Sequence, residues 1–378
     1  MLSVHVEQLK LTTFRNYDAA KVEVDPGHVV LTGENGAGKT NVLEALSFLS
    51  PGRGMRRAAY DTVAKTGGAG AWTVFARLNG TQGQTSIGTG LQETAHGVEN
   101  QRRTHINGAL VKSSEALLEH SRILWLTPSM DGLFTGPAPD RRRFLDRMVL
   151  AVDPRHGRRV SDFERSMRAR NKLLAEDYPD PAWLDATEAQ LAELGVAVAS
   201  ARHELSNLLS AVIVNNNDPA SPFPDAHVSL SGTLEAEIGE VAASDLELEY
   251  LQRLKDSRRI DARAGRTLEG PHRSDLIVHH RPKSMPATLC STGEQKALLT
   301  GLILAHARLV GEMAGFSPIL LLDEIAAHLD EGRRAALYDM IDTLGCQAWM
   351  TGTDRELFKA LDNRANFLTV DDGTIQRA

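Results

Sequence analysis

The residues most able to do chemistry stand together near the start of the chain, in the run Gly33-Glu34-Asn35-Gly36-Ala37-Gly38-Lys39-Thr40. A turn carrying three glycines can curl its backbone N–H groups inward, because glycine takes positive φ without steric cost. Lys39 then reaches the outer phosphates of a bound nucleotide, and the Thr40 hydroxyl offers a ligand to Mg²⁺. A strand must precede this loop and a helix must follow it. The apolar run Val29-Val30-Leu31 predicts the first, and the spacing of Val42, Leu43, Ala45, Leu46 and Leu49 predicts the second, which places the phosphates at a helix N-terminus. The pattern therefore predicts a nucleoside triphosphate site formed by residues 33–40.

A second strand supplies carboxylates. Ile319-Leu320-Leu321-Leu322 reads as a buried parallel strand that ends in Asp323-Glu324. Asp323 is suited to holding Mg²⁺ with Thr40, and Glu324 to orienting the water that attacks the γ-phosphate, so Lys39, Asp323 and Glu324 form the expected catalytic set. Further on, Cys290-Ser291-Thr292-Gly293-Glu294-Gln295-Lys296 opens an apolar-periodic helix and resembles the signature motif of ABC-type ATPases. In that superfamily such a serine and glycine, here Ser291 and Gly293, dock on the γ-phosphate held by another protomer. Glu294 stands where the motif usually has Gln. Ser-Thr-Gly-Glu is also a good helix cap with an acidic first turn, and the residues alone leave both readings open. Ala327-His328-Leu329-Asp330 resembles the D-loop that accompanies such an interface.

Composition bounds the remaining possibilities. The chain has 378 residues, 42% of them apolar, and a formal charge of −7. It is long enough for two or three domains with a sizeable core. No run approaches 18 uninterrupted apolar residues and no basic-then-apolar leader is present, so the expectation is a cytoplasmic protein without a membrane partner. Two cysteines, Cys290 and Cys346, read as free buried thiols. An acidic chain that binds nucleic acid needs local basic surface, and residues 141–172 hold eleven Lys and Arg against four acids. Arg141, Arg142, Arg143, Arg158 and Arg159 are the candidate DNA contacts, the competing reading being that they pair with acids inside the fold. A smaller group, Arg253, Lys255, Arg258, Arg259, Arg263 and Arg266, follows. Few aromatics interleave with either, so phosphate contact is expected rather than base stacking.

Lys39 and Asp323 lie 284 positions apart, so a large insertion separates the two halves of the nucleotide site. Residues 72–111 read as an antiparallel sheet with Asn79-Gly80 and Asn107-Gly108 turns. Residues 139–215 read as helical, and positions 184, 187, 191, 194, 198, 201, 205 and 208 follow heptad spacing until Asn215-Asn216-Asn217-Asp218-Pro219 breaks it. The expected fold class is α/β: an ABC/SMC-type P-loop ATPase head over 1–138 and 268–378, with a mixed sheet, flanking helices and the antiparallel subdomain. A helical arm over 139–267 is inserted into it.

Over essentially its whole length the chain resembles the RecF family of bacterial, SMC-like ATPases. The resemblance rests on Phe14-Arg15-Asn16-Tyr17, the loop 33–40, Gly136-Pro137, Arg141-Arg142-Arg143-Phe144-Leu145-Asp146, Arg170-Asn171-Lys172-Leu173-Leu174, Gly270-Pro271-His272-Arg273-Ser274-Asp275-Leu276, the Ser291 segment and Asp323-Glu324. It implies ATP and Mg²⁺ as cofactors, an ATP-dependent homodimer on DNA at single-strand gaps, and slow hydrolysis that releases it. It further implies cooperation with RecR and RecO in loading RecA, in repair, replication restart and SOS induction. Two superfamily features are missing: no Q-loop glutamine stands near Thr127-Pro128-Ser129, and the strand around Ala348 ends in Thr351-Gly352-Thr353 without a switch histidine, which argues for weak hydrolysis. A transporter's ATPase subunit would share the loop and signature but would hold them closer in sequence and carry that histidine. Another SMC-like chromosome ATPase would carry hundreds of coiled-coil residues.

Overall fold

The computed structural model describes residues 2–378 apart from 81, 82, 95, 96 and 219, with the backbone alone for Leu2 and His328. Pro219, expected to help break the long helix, and the side chain of His328 in the D-loop-like segment therefore lie outside the described residues. The chain divides into two compact units. The first comprises 1–131, 218–223 and 299–378; the second comprises 132–217 and 224–298.

Two six-stranded sheets form the first unit. One runs in the order Ile123–Leu126, Ile319–Leu322, Ala348–Gly352, His28–Thr32, Ala365–Asp371 and Thr374–Arg377, parallel except for the last strand. Its second, third and fourth strands are buried along their whole length, as continuous apolar runs in a parallel sheet must be. The other sheet is antiparallel, in the order Ala109–Leu110, Arg103–Ile106, Gly83–Leu91, Trp72–Gly80, His5–Phe14 and Tyr17–Glu23. In Trp72–Gly80 the alternate residues Trp72, Val74, Ala76 and Leu78 are buried, the period-two pattern of a half-covered sheet. The helix Lys39–Ser47 touches strands of both sheets. Just past its end Phe48 lies 4.9 Å from Trp72, and Phe14 lies 5.6 Å from the same indole, so aromatic contacts anchor the helix behind the phosphate loop.

Of the two expected turns, Asn107-Gly108 is one, with φ of 50° and 81°, the paired positive values that a tight hairpin demands. Asn79-Gly80 is not. Both residues belong to the strand Trp72–Gly80, where the Asn79 amide donates to Glu7 of the neighbouring strand at 2.9 Å and holds the chain extended.

The second unit is built on the 35-residue helix Pro181–Asn215, packed against Ala138–Val152, His156–Leu174 and Ala243–Asp256. Arg258–Ala264 and a three-stranded sheet of Ala226–Ser231, Asp275–His280 and Met285–Pro286 complete it. Of the expected heptad seam, Leu184, Leu191, Val198 and Leu205 are buried in the long helix, but between them the buried positions are Glu188, Gly195, Arg202 and Leu209 instead of 187, 194, 201 and 208. Both sets keep the 3-4 spacing, and the buried face is turned one residue round the helix at alternate positions, where Arg170 and Asp146 supply the ion partners of Glu188 and Arg202. Gly195 is required by contact: a Cβ there would lie 2.7 Å from the Tyr250 ring.

The unit boundary also differs from expectation. It falls at 131/132 instead of 138/139, and residues 268–298 pack with the helices instead of with the phosphate loop. The reason is pairing. Asp275–His280 bonds along its full length to Ala226–Ser231, and its Asp275 clamps Arg141. Among the described residues one helix, Thr292–Ala314, is long and apolar enough to cross a bilayer, and 67% of that stretch is buried in protein.

Candidate active site

The phosphate loop leaves the strand His28–Thr32 with Gly33, Gly36 and Gly38 at φ of 147°, 88° and 116°. The Tyr17 hydroxyl donates to the Gly38 carbonyl at 3.1 Å, and the Asn16 amide to the Ala37 carbonyl at 3.0 Å. A Cβ on Gly38 would lie 2.6 Å from Asn16 Nδ2 and 2.7 Å from the Tyr17 hydroxyl, so only glycine admits these two clamps. Arg15 extends the same bracket with a bidentate pair, at 2.8 and 2.5 Å, to Glu44, a fully buried carboxylate on the following helix that Arg56 also contacts. Phe14-Arg15-Asn16-Tyr17 thus works as one clasp on the loop and its helix.

Lys39 Nζ donates to the carbonyls of Gly33 and Glu34, each at 2.7 Å, curling the loop round the ammonium. Burial pushes this ammonium below the usual lysine range, while the carboxylates of Glu324 and Asp323 act to raise it. A group in that position gains from a phosphate partner.

The acidic strand meets the loop directly. Thr40 Oγ1 donates to Asp323 Oδ1 at 2.9 Å, and Thr351 Oγ1 donates to the same oxygen at 2.8 Å. Thr351 also accepts from the backbone N–H of Glu324 at 2.9 Å. One hydroxyl therefore orders both acids, and it stands at the end of the strand Ala348–Gly352, where an ABC-type ATPase carries its switch histidine. In the sequence only the missing imidazole stands out at this strand end; the signal for the bridge is a β-branched hydroxyl residue, Thr351, at a buried strand end. Glu324 sits in the left-handed region at φ 54°, an uncommon conformation for a residue with a Cβ, and begins the short turn Ile325–His328. On the far side the strand Ile123–Leu126 receives the Asp323 N–H on the Leu126 carbonyl and continues into Thr127, bonded to Ser129 at 2.8 Å.

A curled glycine loop, a lysine held against its carbonyls, and a hydroxyl touching a carboxylate form a donor set that fits a triphosphate with a hard divalent cation. A divalent cation placed there would find ligands in Thr40 and Asp323.

The Ser291 segment lies in the second unit and shows the cap that its sequence allowed. The Glu294 carboxylate accepts from the Ser291 N–H at 2.8 Å and from its hydroxyl at 2.9 Å, and the Glu294 N–H donates back to Ser291 Oγ at 3.4 Å. This is a capping box. Lys283 pairs with the other Glu294 oxygen, and that contact, with the Ser291 bonds, holds the carboxyl down to about 2. Gln295 turns inward to the Cys290 carbonyl at 2.9 Å. The surface over Gly293 is open, since a Cβ there would meet nothing within 4 Å. Cys290 and Cys346 are free and buried.

The arginine candidates separate. Arg141 forks onto Asp275 at 2.8 and 2.7 Å and reaches the Gly136 carbonyl, while Arg142 donates to the Ser274 carbonyl at 2.7 Å. Both belong to the framework of the second unit. Arg159 is likewise tied to Asp153, and Arg143 pairs with Asp140 in the same helix turn. Arg170, counted in the basic cluster, is fully buried against Glu188 and Asp261 at 2.9 and 2.7 Å. Arg202 joins Asp146 to Pro271 and Ser274. Arg143, Arg155 and Lys172 stay exposed, and Arg158, Arg165 and Arg168 remain outward at 79%, 74% and 66% exposure, paired with acids of their own helix. Arg259, Arg263 and Arg266 are exposed too. The local charge count could not separate these groups, because the acids that pair with Arg141 and Arg170 lie outside the basic stretch, 18 to 134 positions away.

The family model described as RecF/RecN/SMC N terminal domain matches residues 5–376. The DNA replication and repair protein RecF of Mesorhizobium japonicum is 59% identical over 371 residues, 98% of this chain and 97% of its own. That of Brucella suis is 59% identical over 374 residues, 98% of this chain and 96% of its own. Among solved structures, a recombination mediator RecF of the RecFOR pathway with ATPrS superposes with a TM-score of 0.86 at 22% identity, covering 99% of this chain and 98% of the other. An Smc head domain from Pyrococcus furiosus, covering 99% of this chain and 96% of the other, reaches a TM-score of 0.55 at 16% identity.

Proposed function

Because this chain belongs to the RecF family of SMC-type ATPases, we propose that it is an ATP-dependent DNA-binding recombination mediator acting in the cytoplasm. ATP binding joins two copies on DNA at single-strand gaps, and slow hydrolysis releases them. RecO- and RecR-type proteins are the partners with which it promotes RecA loading in repair and replication restart.

The observation that carries the reading is the Thr40–Asp323–Thr351 hydrogen-bond chain, which joins a phosphate loop to an acidic strand 283 positions later. In this reading the backbone N–H groups of 34–40 cradle the phosphates, and Lys39 leaves its two carbonyls for the β/γ oxygens. When bound, Mg²⁺ neutralises phosphate charge beside Thr40 and Asp323. Glu324, turned by its left-handed backbone and held by Thr351, accepts a proton from the attacking water. Thr351 can hold Asp323 but cannot replace an imidazole that senses the γ-phosphate, which suits a slow switch. Ser291 and Gly293 of a second copy dock on the terminal phosphate and make ATP part of the dimer interface. Sedimentation of the parent and of Lys39→Met tests this. The parent should change from monomer to dimer with ATP and Lys39→Met should not; a parent that stays monomeric with ATP, with and without gapped DNA, would refute the reading.

A further inference from the structure

The Ser291 helix end already carries an anion. Two donors that a docking phosphate would use, the Ser291 N–H and its hydroxyl, are both occupied by one oxygen of Glu294, at 2.8 and 2.9 Å. The other oxygen is tied to Lys283. The carboxylate is therefore held from both sides, and it stays ionised at any pH near neutrality. The surface over Gly293 is open, so the approach is free while the donors are not.

We propose that Glu294 is a selectivity residue for dimerisation: an internal carboxylate occupies the phosphate-docking donors of Ser291 and yields only to the terminal phosphate of a triphosphate. The inference rests on the reading of Ser291 as the docking serine. Its physical basis is competition between anions. A carboxylate carries one charge and a terminal phosphate carries more, with three acceptor oxygens, so a γ-phosphate presented by a partner's loop can displace Glu294. A diphosphate presents no such group beyond the loop, and the carboxylate keeps the donors. Glutamine at 294 would retain a carbonyl for the cap but lose the charge that competes. The fold of the helix should be unaffected, because the pair is exposed and capping persists with a neutral acceptor.

The test is sedimentation of Glu294→Gln and the parent with a slowly hydrolysed ATP analogue and, separately, with ADP; Ser291→Arg is run in parallel. Half-maximal dimerisation of Glu294→Gln should occur at about fivefold lower protein concentration than for the parent with the ATP analogue, the size expected for an exposed ionic contact. Dimers should also become detectable with ADP, where the parent has none. A merely structural cap would not move the ratio between the two nucleotides. If Ser291→Arg fails to dimerise while Glu294→Gln behaves as the parent or dimerises less, the proposal falls and the docking role of Ser291 stands. If Ser291→Arg dimerises as the parent does, the docking reading itself falls and this proposal with it.

Discussion

The residues at the centre of the site are hydroxyls that donate to carboxylates. Asp323 accepts from Thr40 and Thr351 through the same oxygen, and Glu324 is fixed through its backbone by Thr351, so the acids differ in what they can do. Asp323 is committed to the loop and suited to a cation. In the proposed reaction Glu324, bonded to Thr351 through its backbone N–H, is the acid that meets water. Glu324→Gln should therefore keep ATP affinity while single-turnover hydrolysis falls by about 100-fold or more, the usual range for a lost general base. Rapid-quench measurement of one turnover checks this, and parental rates would remove Glu324 from the role. The loop, Lys39 and the two acids were legible in the sequence because their chemistry is written in adjacent positions. The Thr351 bridge was not, since its partners stand 27 and 28 positions before it.

Elements explain why the middle of the chain looked more like a site than it is. Arg141, Arg142, Arg170 and Arg202 are spread over three helices, and each bonds to the backbone or carboxylates of the segments 254–275 or to Asp146. Removing such a cation leaves acids buried without a counter-charge, which costs far more than an exposed pair is worth. Arg170→Ala strips Asp261 of its cation and leaves Glu188 with Arg258 alone. It should lower stability by about 3 kcal/mol, read as a drop in the denaturant midpoint, whereas Arg165→Ala should change it by less than about 0.5 kcal/mol. Equal effects would contradict the division into framework and surface. Sequence pattern located the helices of the second unit and half of the buried stripe of Pro181–Asn215, at Leu184, Leu191, Val198 and Leu205. A heptad reading excludes Glu188 and Arg202 from the interior, and only their distant ion partners make those positions habitable.

For the whole molecule, a net charge of −7 leaves DNA binding to local surface and to the doubling that a dimer provides. The outward arginines of the helix His156–Leu174 are held by acids one turn away, pairings that a phosphate can replace at little cost. Changing Arg158, Arg165 and Arg168 together to Glu should weaken binding to all DNA sequences alike and flatten the salt dependence by about 0.9 in slope for each phosphate no longer neutralised. Undiminished affinity in a folded variant would shift attention to Arg259, Arg263 and Arg266. The chain's α/β class and its inserted helical portion were legible from motif order; which unit holds residues 268–298 was not, because it depends on the strand pair Ala226–Ser231 and Asp275–His280.

In the proposed dimer ATP is shared between the phosphate loop of one copy and the Ser291 segment of another. Mixing Lys39→Met with Ser291→Arg tests it most directly, since each variant retains the half that the other lacks. Sedimentation with ATP should show each variant monomeric alone and a heterodimer in the mixture, built on one intact composite site. A mixture that remains monomeric while the parent dimerises, or a Ser291→Arg protein that dimerises by itself, would contradict the account.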